Sequence, residues 1–166
     1  MKSQLTIMLS VILSLSACGI YSFSGASISS EIKTITIGYF DSQAELLPPD
    51  YPNFFTESMK DKFIAETALS PVNIDGDLSF SGYISNYSIK PIAIQANETA
   101  AKNRLTVSVK VTFTNRIQEE YNYDKTFSQY ADYDSNQDLN TIESELLAEI
   151  TDQLVENIFN EAVATW

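Results

Sequence analysis

The sequence predicts an α+β fold, a two-layer sandwich in which two helices pack on one face of a small sheet. Two kinds of pattern support this prediction. Alternating apolar residues indicate strands, and apolar residues every three or four positions indicate helices. Their order along the chain is strand, helix, three strands, helix. With 166 residues the chain is long enough for one domain with a buried core and too short for two.

The first part of the domain is predicted to contain a strand and a short helix. β-Branched residues dominate Glu31–Phe40, which indicates a strand. Prolines then interrupt the chain in "LLPPDYPN". Between Asn53 and Glu66 apolar residues recur every four positions, which predicts an amphipathic helix with Asn53 as its N-cap. The recurring residues are Phe55, Met59 and Phe63.

The second part is predicted to contain three strands and a long helix. Asp77–Ile89 reads as a strand in which Gly82 permits a bulge or a close approach. Apolar and polar residues alternate cleanly in "RLTVSVKVTFTN", residues 104–115, and the chain returns over residues 121–130, which predicts an antiparallel hairpin. After a polar connector, an apolar stripe from Leu139 to Ala162 predicts one long helix.

The N-terminus has the features of a bacterial lipoprotein signal. Lys2 precedes an apolar run over residues 5–15, about the length of a signal-peptide core and shorter than the roughly 20 residues of a membrane span. A leucine and two small residues then precede Cys18, the only cysteine, in the pattern of a lipobox. We expect a signal peptide over residues 1–17, a lipid anchor on Cys18, a lead over residues 18–30 and one domain over residues 31–166. An ordinary secretory signal that leaves a cysteine nearby is the alternative.

Composition argues against several kinds of function. The chain has no histidine, which removes Ser-His-Asp triads, Cys-His pairs and His-built zinc sites. It has no glycine-rich phosphate loop, and a net charge of -12 argues against nucleic-acid binding. The segment "DYDSNQD", residues 132–138, lacks the glycine and final glutamate of a calcium loop and is interpreted as a capping loop. We expect no catalytic residues, metal or cofactor; a hydrolase using two carboxylates is a competing hypothesis that no residue pair supports.

Basic residues concentrate on the polar side of the third predicted strand. Arg104 and Lys110 alternate with the apolar positions, and Lys102 and Arg116 flank them. Four of the nine basic residues that remain after residue 17 thus fall within fifteen positions. One interpretation is a patch for an anionic ligand, and the other is an exposed strand face with ordinary solubilising charges.

The succession of segments resembles a known family. "CGIYSFSGASI" follows the lipobox, then "IKTITIGYF", the proline-rich break and the short helix. "LSFSGYISNYSIKPIAIQANETAAKNRLTVSVKVTFTN", "FSQYADYD" and "IFNEAVATW" follow in order. Together they resemble LptE, the lipoprotein of outer-membrane lipopolysaccharide assembly, in its Bacteroidota branch. The resemblance covers nearly all of the chain after residue 17.

The resemblance implies a mixed four-stranded sheet with two helices and a non-enzymatic role. It implies a lipoprotein that sits in the lumen of the outer-membrane β-barrel LptD, plugs it, supports its assembly and binds lipopolysaccharide. Gly19, rather than an acidic residue, follows Cys18, so we expect the outer membrane. A free periplasm-facing lipoprotein that binds a small ligand or an envelope polymer is the alternative.

Overall fold

The computed structural model describes residues 28–92 and 101–163, which form two α-helices, one short 3-10 helix (Glu119–Tyr121) and six strands. The helices are α1 (Tyr51–Glu66) and α2 (Leu139–Val163). The strands are β1 (Thr34–Ile37), β2 (Asp41–Ser42), β3 (Ser70–Pro71), β4 (Leu78–Ile92), β5 (Lys102–Asn115) and β6 (Tyr123–Asp134). The expected signal peptide, Cys18 and most of the expected lead lie outside the described residues.

The strands form one mixed sheet in the order β3-β1-β4-β5-β6, with β2 paired to β4. β1 runs parallel to β3 and β4, whereas β4, β5 and β6 are antiparallel neighbours. The predicted α+β class is therefore confirmed. The expected number of four strands is too low, because the region around the first predicted strand supplies two strands and Ser70–Pro71 a third. A strand of two residues is defined only by its pairing with a neighbouring strand, so no local sequence pattern predicts it.

The long strands extend beyond their predicted ends. β4 continues through Pro91 to Ile92, and β6 continues to Asp134, four residues into the predicted connector. The predicted hairpin of β5 and β6 is confirmed, with Phe113 opposite Tyr123 and Lys102 opposite Asp134.

Gly82 brings β4 and β5 close together, as predicted. A Cβ at this position would lie 2.0 Å from the carbonyl oxygen of Lys110 and 2.8 Å from Cε1 of Phe40. The Phe40 ring is fully buried, so the missing side chain of Gly82 makes room for part of the core. The register shift of the β4–β5 ladder lies further on, between Ile84 and Asn86.

Helix α1 begins two residues before the predicted N-cap. Asp50 occupies the cap position without a side-chain cap hydrogen bond, and Pro52 lies in the first turn. Proline is tolerated in a first turn because the N–H that it lacks has no intrahelical partner there. The prediction that Asn53 is the N-cap is therefore wrong, since the last proline of the break belongs to the helix itself.

Helix α2 begins where the sequence predicted. Oδ1 of Asp138 accepts a hydrogen bond from the backbone N–H of Asn140 at 3.1 Å, which confirms a capping role for this loop. The apolar stripe is also confirmed from Leu146 onward and is widened by a second buried row. That second row is Leu147, Thr151, Val155, Phe159 and Val163.

A row of aromatic rings joins the helices to the sheet. Phe63 of α1 contacts Phe159 of α2 at 5.0 Å and Phe80 of β4 at 4.8 Å between ring centroids. The row continues from Phe80 to Phe113 at 4.7 Å and from Phe113 to Tyr123 at 5.1 Å. Both helices therefore pack on the same face of the sheet, as predicted, and we call this the inner face.

A buried hydroxyl pair ties α1 to α2. The hydroxyls of Tyr51 and Thr151 lie 2.8 Å apart, and Tyr51 is 3% exposed. Burial raises the pKa of Tyr51 from its ordinary 10.0 to about 12, against a smaller lowering by the Thr151 hydrogen bond. Ionised Tyr51 is therefore disfavoured in the folded chain.

This raised pKa predicts a loss of stability at alkaline pH. Above pH 10 the unfolded tyrosine loses its proton while the folded one keeps it to about pH 12, so ionisation favours unfolding. The free energy of unfolding should fall in this window by at most about 1.4 kcal/mol per pH unit from Tyr51. Urea titrations at several pH values should give Tyr51→Phe a shallower slope than the wild type. Thr151→Val retains the phenol and should retain the slope; equal slopes in all three proteins would contradict this origin.

Candidate functional site

The face of the sheet opposite the helices is polar, and no described element packs on it. We call it the outer face of β4, β5 and β6. Its β5 positions are the even-numbered residues 102–114, while the odd-numbered residues Leu105 to Phe113 are fully buried against the helices. Most of its side chains carry hydroxyls. They include Ser79, Ser81, Ser88, Thr106, Ser108, Thr112, Thr114, Thr126 and Ser128.

Arg104 is held on the outer face by an acid and a ring of β6. Its Nε and Nη2 donate to Oδ1 and Oδ2 of Asp132 at 2.7 and 2.8 Å, a two-pronged contact that fixes the guanidinium plane. The guanidinium carbon lies 3.5 Å from the centroid of the Tyr130 ring. The hydrogen bonds from Arg104 lower the pKa of Asp132, against an opposing effect of desolvation. This arrangement keeps both charges in place and leaves their outward sides open.

Of the other three predicted cations, Lys110 and Arg116 form ion pairs with carboxylates elsewhere. Lys110 forms an ion pair with Asp124 of β6, in the middle of the outer face. Nη2 of Arg116 lies 2.6 Å from Oδ1 of Asp75, beyond the end of β5. The structure therefore does not gather the four predicted residues in one place. It keeps Lys102 beside Arg104 and separates both from Lys110 and Arg116.

Lys90, a cation that the sequence analysis did not single out, lies near Arg104 and Lys102. Lys90 of β4 lies directly opposite Arg104 in the β4–β5 ladder, and both side chains lie on the outer face. Within the described part of the chain neither Lys90 nor Lys102 forms an ion pair, whereas Arg104 pairs with Asp132. We call Lys90, Lys102 and Arg104 the cationic corner. The sequence shows only that Lys90 is basic. Its position opposite Arg104 depends on the register between β4 and β5, which the sequence does not show.

Concavities of about 370 to 690 Å³ lie around the two helices. A groove of about 690 Å³ lies at the C-terminal end of α1, where Ile32, Leu69 and Lys33 line part of it. A second of about 400 Å³ lies between the N-terminal halves of α1 and α2. Over residues 28–92 and 101–163, no three acidic, histidine or cysteine side chains are grouped so that they could hold a metal ion. The described helices are also too short or too polar to cross a membrane.

Two helices on one face of a mixed sheet, with the opposite face polar and open, define a small two-layer α/β domain. Its fold is similar to that of the minor lipoprotein from Acinetobacter baumannii, at 15% identity and a TM-score of 0.53, over 81% of this chain and 92% of that one. A hemagglutinin homologue from Helicobacter pylori is similar at 10% identity and a TM-score of 0.52, over 85% of this chain and 88% of that one.

The family model described as LptE: Lipopolysaccharide-assembly matches residues 32–162. The chain belongs to this family, which confirms the resemblance of its segments. The matched residues run from just before β1 almost to the end of α2, so they include both faces of the sheet. No curated protein matches the chain.

Proposed function

We propose that this chain is an outer-membrane lipoprotein, anchored by lipid on Cys18, that partners and plugs an LptD-like β-barrel in lipopolysaccharide assembly. The observation that carries the proposal is the family match over residues 32–162. In the proposed organisation residues 1–17 are the signal peptide, residues 18–30 the lipidated lead and residues 31–166 the domain. The role is structural and transport-related rather than enzymatic.

The open outer face supports the plug. A barrel wide enough to pass a lipid has a polar, water-filled lumen, so a plug needs a folded domain whose exposed surface is polar. The outer face meets this need, because its hydroxyls offer hydrogen bonds in a wet interface without a large exposed apolar area. The inner face is covered by α1 and α2. The outer face is therefore the large surface on which a lumen wall could dock without disturbing the core.

The cationic corner is the proposed contact for lipopolysaccharide. Phosphate and carboxylate groups are bound by lysine and arginine through charge-assisted hydrogen bonds. Lys90 and Lys102 form no ion pair within the described residues, and Arg104 is already oriented by Asp132. Lys110 and Arg116 remain proposed secondary contacts, because their ion pairs lie away from the cationic corner.

Isolation of the full-length lipoprotein from native membranes in mild detergent tests the plug. Mass spectrometry of the bound proteins should find a large outer-membrane β-barrel in a one-to-one ratio. A lipoprotein that is recovered lipidated but without any barrel would contradict the plug. The free ligand-binding lipoprotein would then be the better account, with the groove of about 690 Å³ as its first candidate site.

The same preparation tests the cationic corner through the amount of lipopolysaccharide per lipoprotein. Lys90→Ala/Lys102→Ala should lower this ratio by tenfold or more, because each hydrogen bond to a charged group contributes about 1.5–3 kcal/mol and about 1.4 kcal/mol corresponds to a factor of ten. Lys33→Ala/Lys60→Ala removes the same charge away from the outer face and should leave the ratio unchanged. Equal losses in both variants would point to net charge alone.

A further inference from the structure

Within the part of the chain that the structure describes, the outer edge of β6 is open. Among the described residues β6 pairs only with β5, so one edge of the 12-residue strand has no neighbour. The N–H of Ser135, just after β6, donates to the carbonyl of Ala101 at 3.0 Å, which shows that odd-numbered residues point their backbone groups toward β5. Because these directions alternate along a strand, the even-numbered residues of β6 point their N–H and C=O groups away from the sheet.

These outward groups form an uninterrupted row. At its end the N–H of Asp134 donates to Oε1 of Gln137 at 3.3 Å, which both confirms the outward direction and covers that position. The remaining outward residues have exposed side chains and no backbone partner within the described chain. They are Asp124, Thr126, Ser128, Tyr130 and Asp132.

The edge lacks the usual interruptions of an exposed edge strand. Such edges are commonly shortened, bulged or broken by proline, because an unpaired edge recruits other strands. The opposite edge of this sheet follows that rule, since β3 has two residues and one is Pro71. β6 contains no proline or glycine, its ladder with β5 has no register shift, and its centre from Thr126 to Tyr130 carries no charge.

Charge disfavours a second copy of this chain at the edge. Side chains on one face must pair with the same face, so two antiparallel copies of β6 can pair most fully in two registers. The register centred on Ser128 places Asp124 opposite Asp132, and the register centred on Gln129 places Asp124 opposite Asp134. Like charges directly opposite each other destabilise a strand pair. The ion pairs of Asp124 with Lys110 and of Asp132 with Arg104 offset only part of this repulsion, because exposed ion pairs contribute little. The net charge of -12 adds repulsion between whole chains.

We propose that the open edge of β6 binds an extended segment of a partner protein as an added strand. The segment carries polar or basic side chains on the face that meets Asp124 and Asp132, which lie about 27 Å apart along the strand and keep their ion pairs with Lys110 and Arg104. Uncharged residues occupy its centre, opposite Thr126 to Tyr130. That the partner is the barrel rests on the proposed function, whereas the proposal that the edge binds an added strand does not.

Hydrogen exchange tests the edge in the full-length chain extracted from native membranes. In that sample the amides of Thr126, Ser128 and Tyr130 should exchange about tenfold or more slowly than in the purified chain alone, because an added strand bonds them. Fast exchange of these amides in the extracted sample would overturn the proposal. Slow exchange in the purified chain, together with a dimeric mass, would show a second copy at the edge and would also overturn it.

A matched pair of variants separates the edge from the fold. Thr126→Pro removes an outward N–H at a place where a folded edge strand tolerates proline, and Thr126→Ala retains that N–H. Protection of Ser128 and Tyr130 should be lost only in Thr126→Pro, while amides of α2 stay protected in both. Equal protection of the edge in both variants would contradict the added strand.

The outcome for the edge is distinguishable from the outcome for the plug. A barrel that co-purifies while the edge amides exchange fast would leave the proposed function standing and overturn the added strand. If no barrel co-purifies but the edge amides exchange slowly, and this protection is lost only in Thr126→Pro, the added strand would be supported and the plug contradicted.

Discussion

Gly82→Ala is expected to lower the free energy of unfolding by more than about 3 kcal/mol, at the upper end of the cost of overpacking a core. The added Cβ would lie 2.0 Å from the carbonyl oxygen of Lys110, which is part of the β4–β5 ladder and has little room to shift. It would also lie 2.8 Å from the ring of Phe40, which packs against Phe55 at 5.2 Å. Moving the Lys110 carbonyl away would disturb the β4–β5 ladder, and moving the Phe40 ring away would disturb the core. Urea unfolding of the purified protein measures the loss.

Gly38→Ala is the matched control. Its added Cβ would lie 3.3 Å from the carbonyl oxygen of Phe80, a contact that a small shift relieves, so we expect a cost below about 1 kcal/mol. No described glycine has a positive φ, and both substitutions reduce the entropy of the unfolded chain similarly. The difference between the two variants therefore isolates the clash. Equal costs would show that β4 and β5 can separate freely at Gly82.

Cys18→Ala is expected to move the protein from the membrane pellet to the soluble fraction. The proposed anchor is the lipid on Cys18, the only cysteine of the chain. Each buried methylene contributes about 0.8 kcal/mol, and a single acyl chain gives only reversible binding, so stable anchoring requires more than one chain. Incorporation of labelled palmitate and fractionation of membranes measure the effect. The variant should lose the label completely.

Ser22→Ala retains the cysteine and serves as the control for lipidation. It should incorporate the label and remain in the membrane pellet like the wild type. A wild-type chain that begins at Cys18 with an unmodified thiol would contradict the lipobox and favour an ordinary secretory signal. A labelled Cys18→Ala variant would place the lipid on another residue.

The helices and the hairpin were predictable because their patterns are local. The four-residue repeat of Phe55, Met59 and Phe63 marks the side of α1 that meets the sheet, wherever the sheet lies. The alternation from Leu105 to Phe113 marks one face of β5 in the same way. Burial of one face imposes a periodicity of 3.6 or 2 on the residues themselves. The start of α1 was missed because Pro52 reads equally as the end of a break and as a first helical turn.

The candidate site was predictable only in part. Alternation along β5 correctly placed Arg104 and Lys110 on one face, but it could not show that Asp132 and Asp124 of β6 meet them. Lys90 joins Arg104 through the β4–β5 register, which depends on the irregularity between Ile84 and Asn86. A one-residue change in that irregularity would move Lys90 to the other face of the sheet.

The sequence by itself determined the class of fold, both helices and the hairpin, because each depends on residues that are near one another in the chain. Only the tertiary structure decided which cations meet, that Gly82 makes room for Phe40, and that one edge of β6 has no neighbour among residues 28–92 and 101–163. These features depend on the register and order of strands that are distant in sequence. Register is set jointly by turns, bulges and the packing of a shared core, so no single segment encodes it.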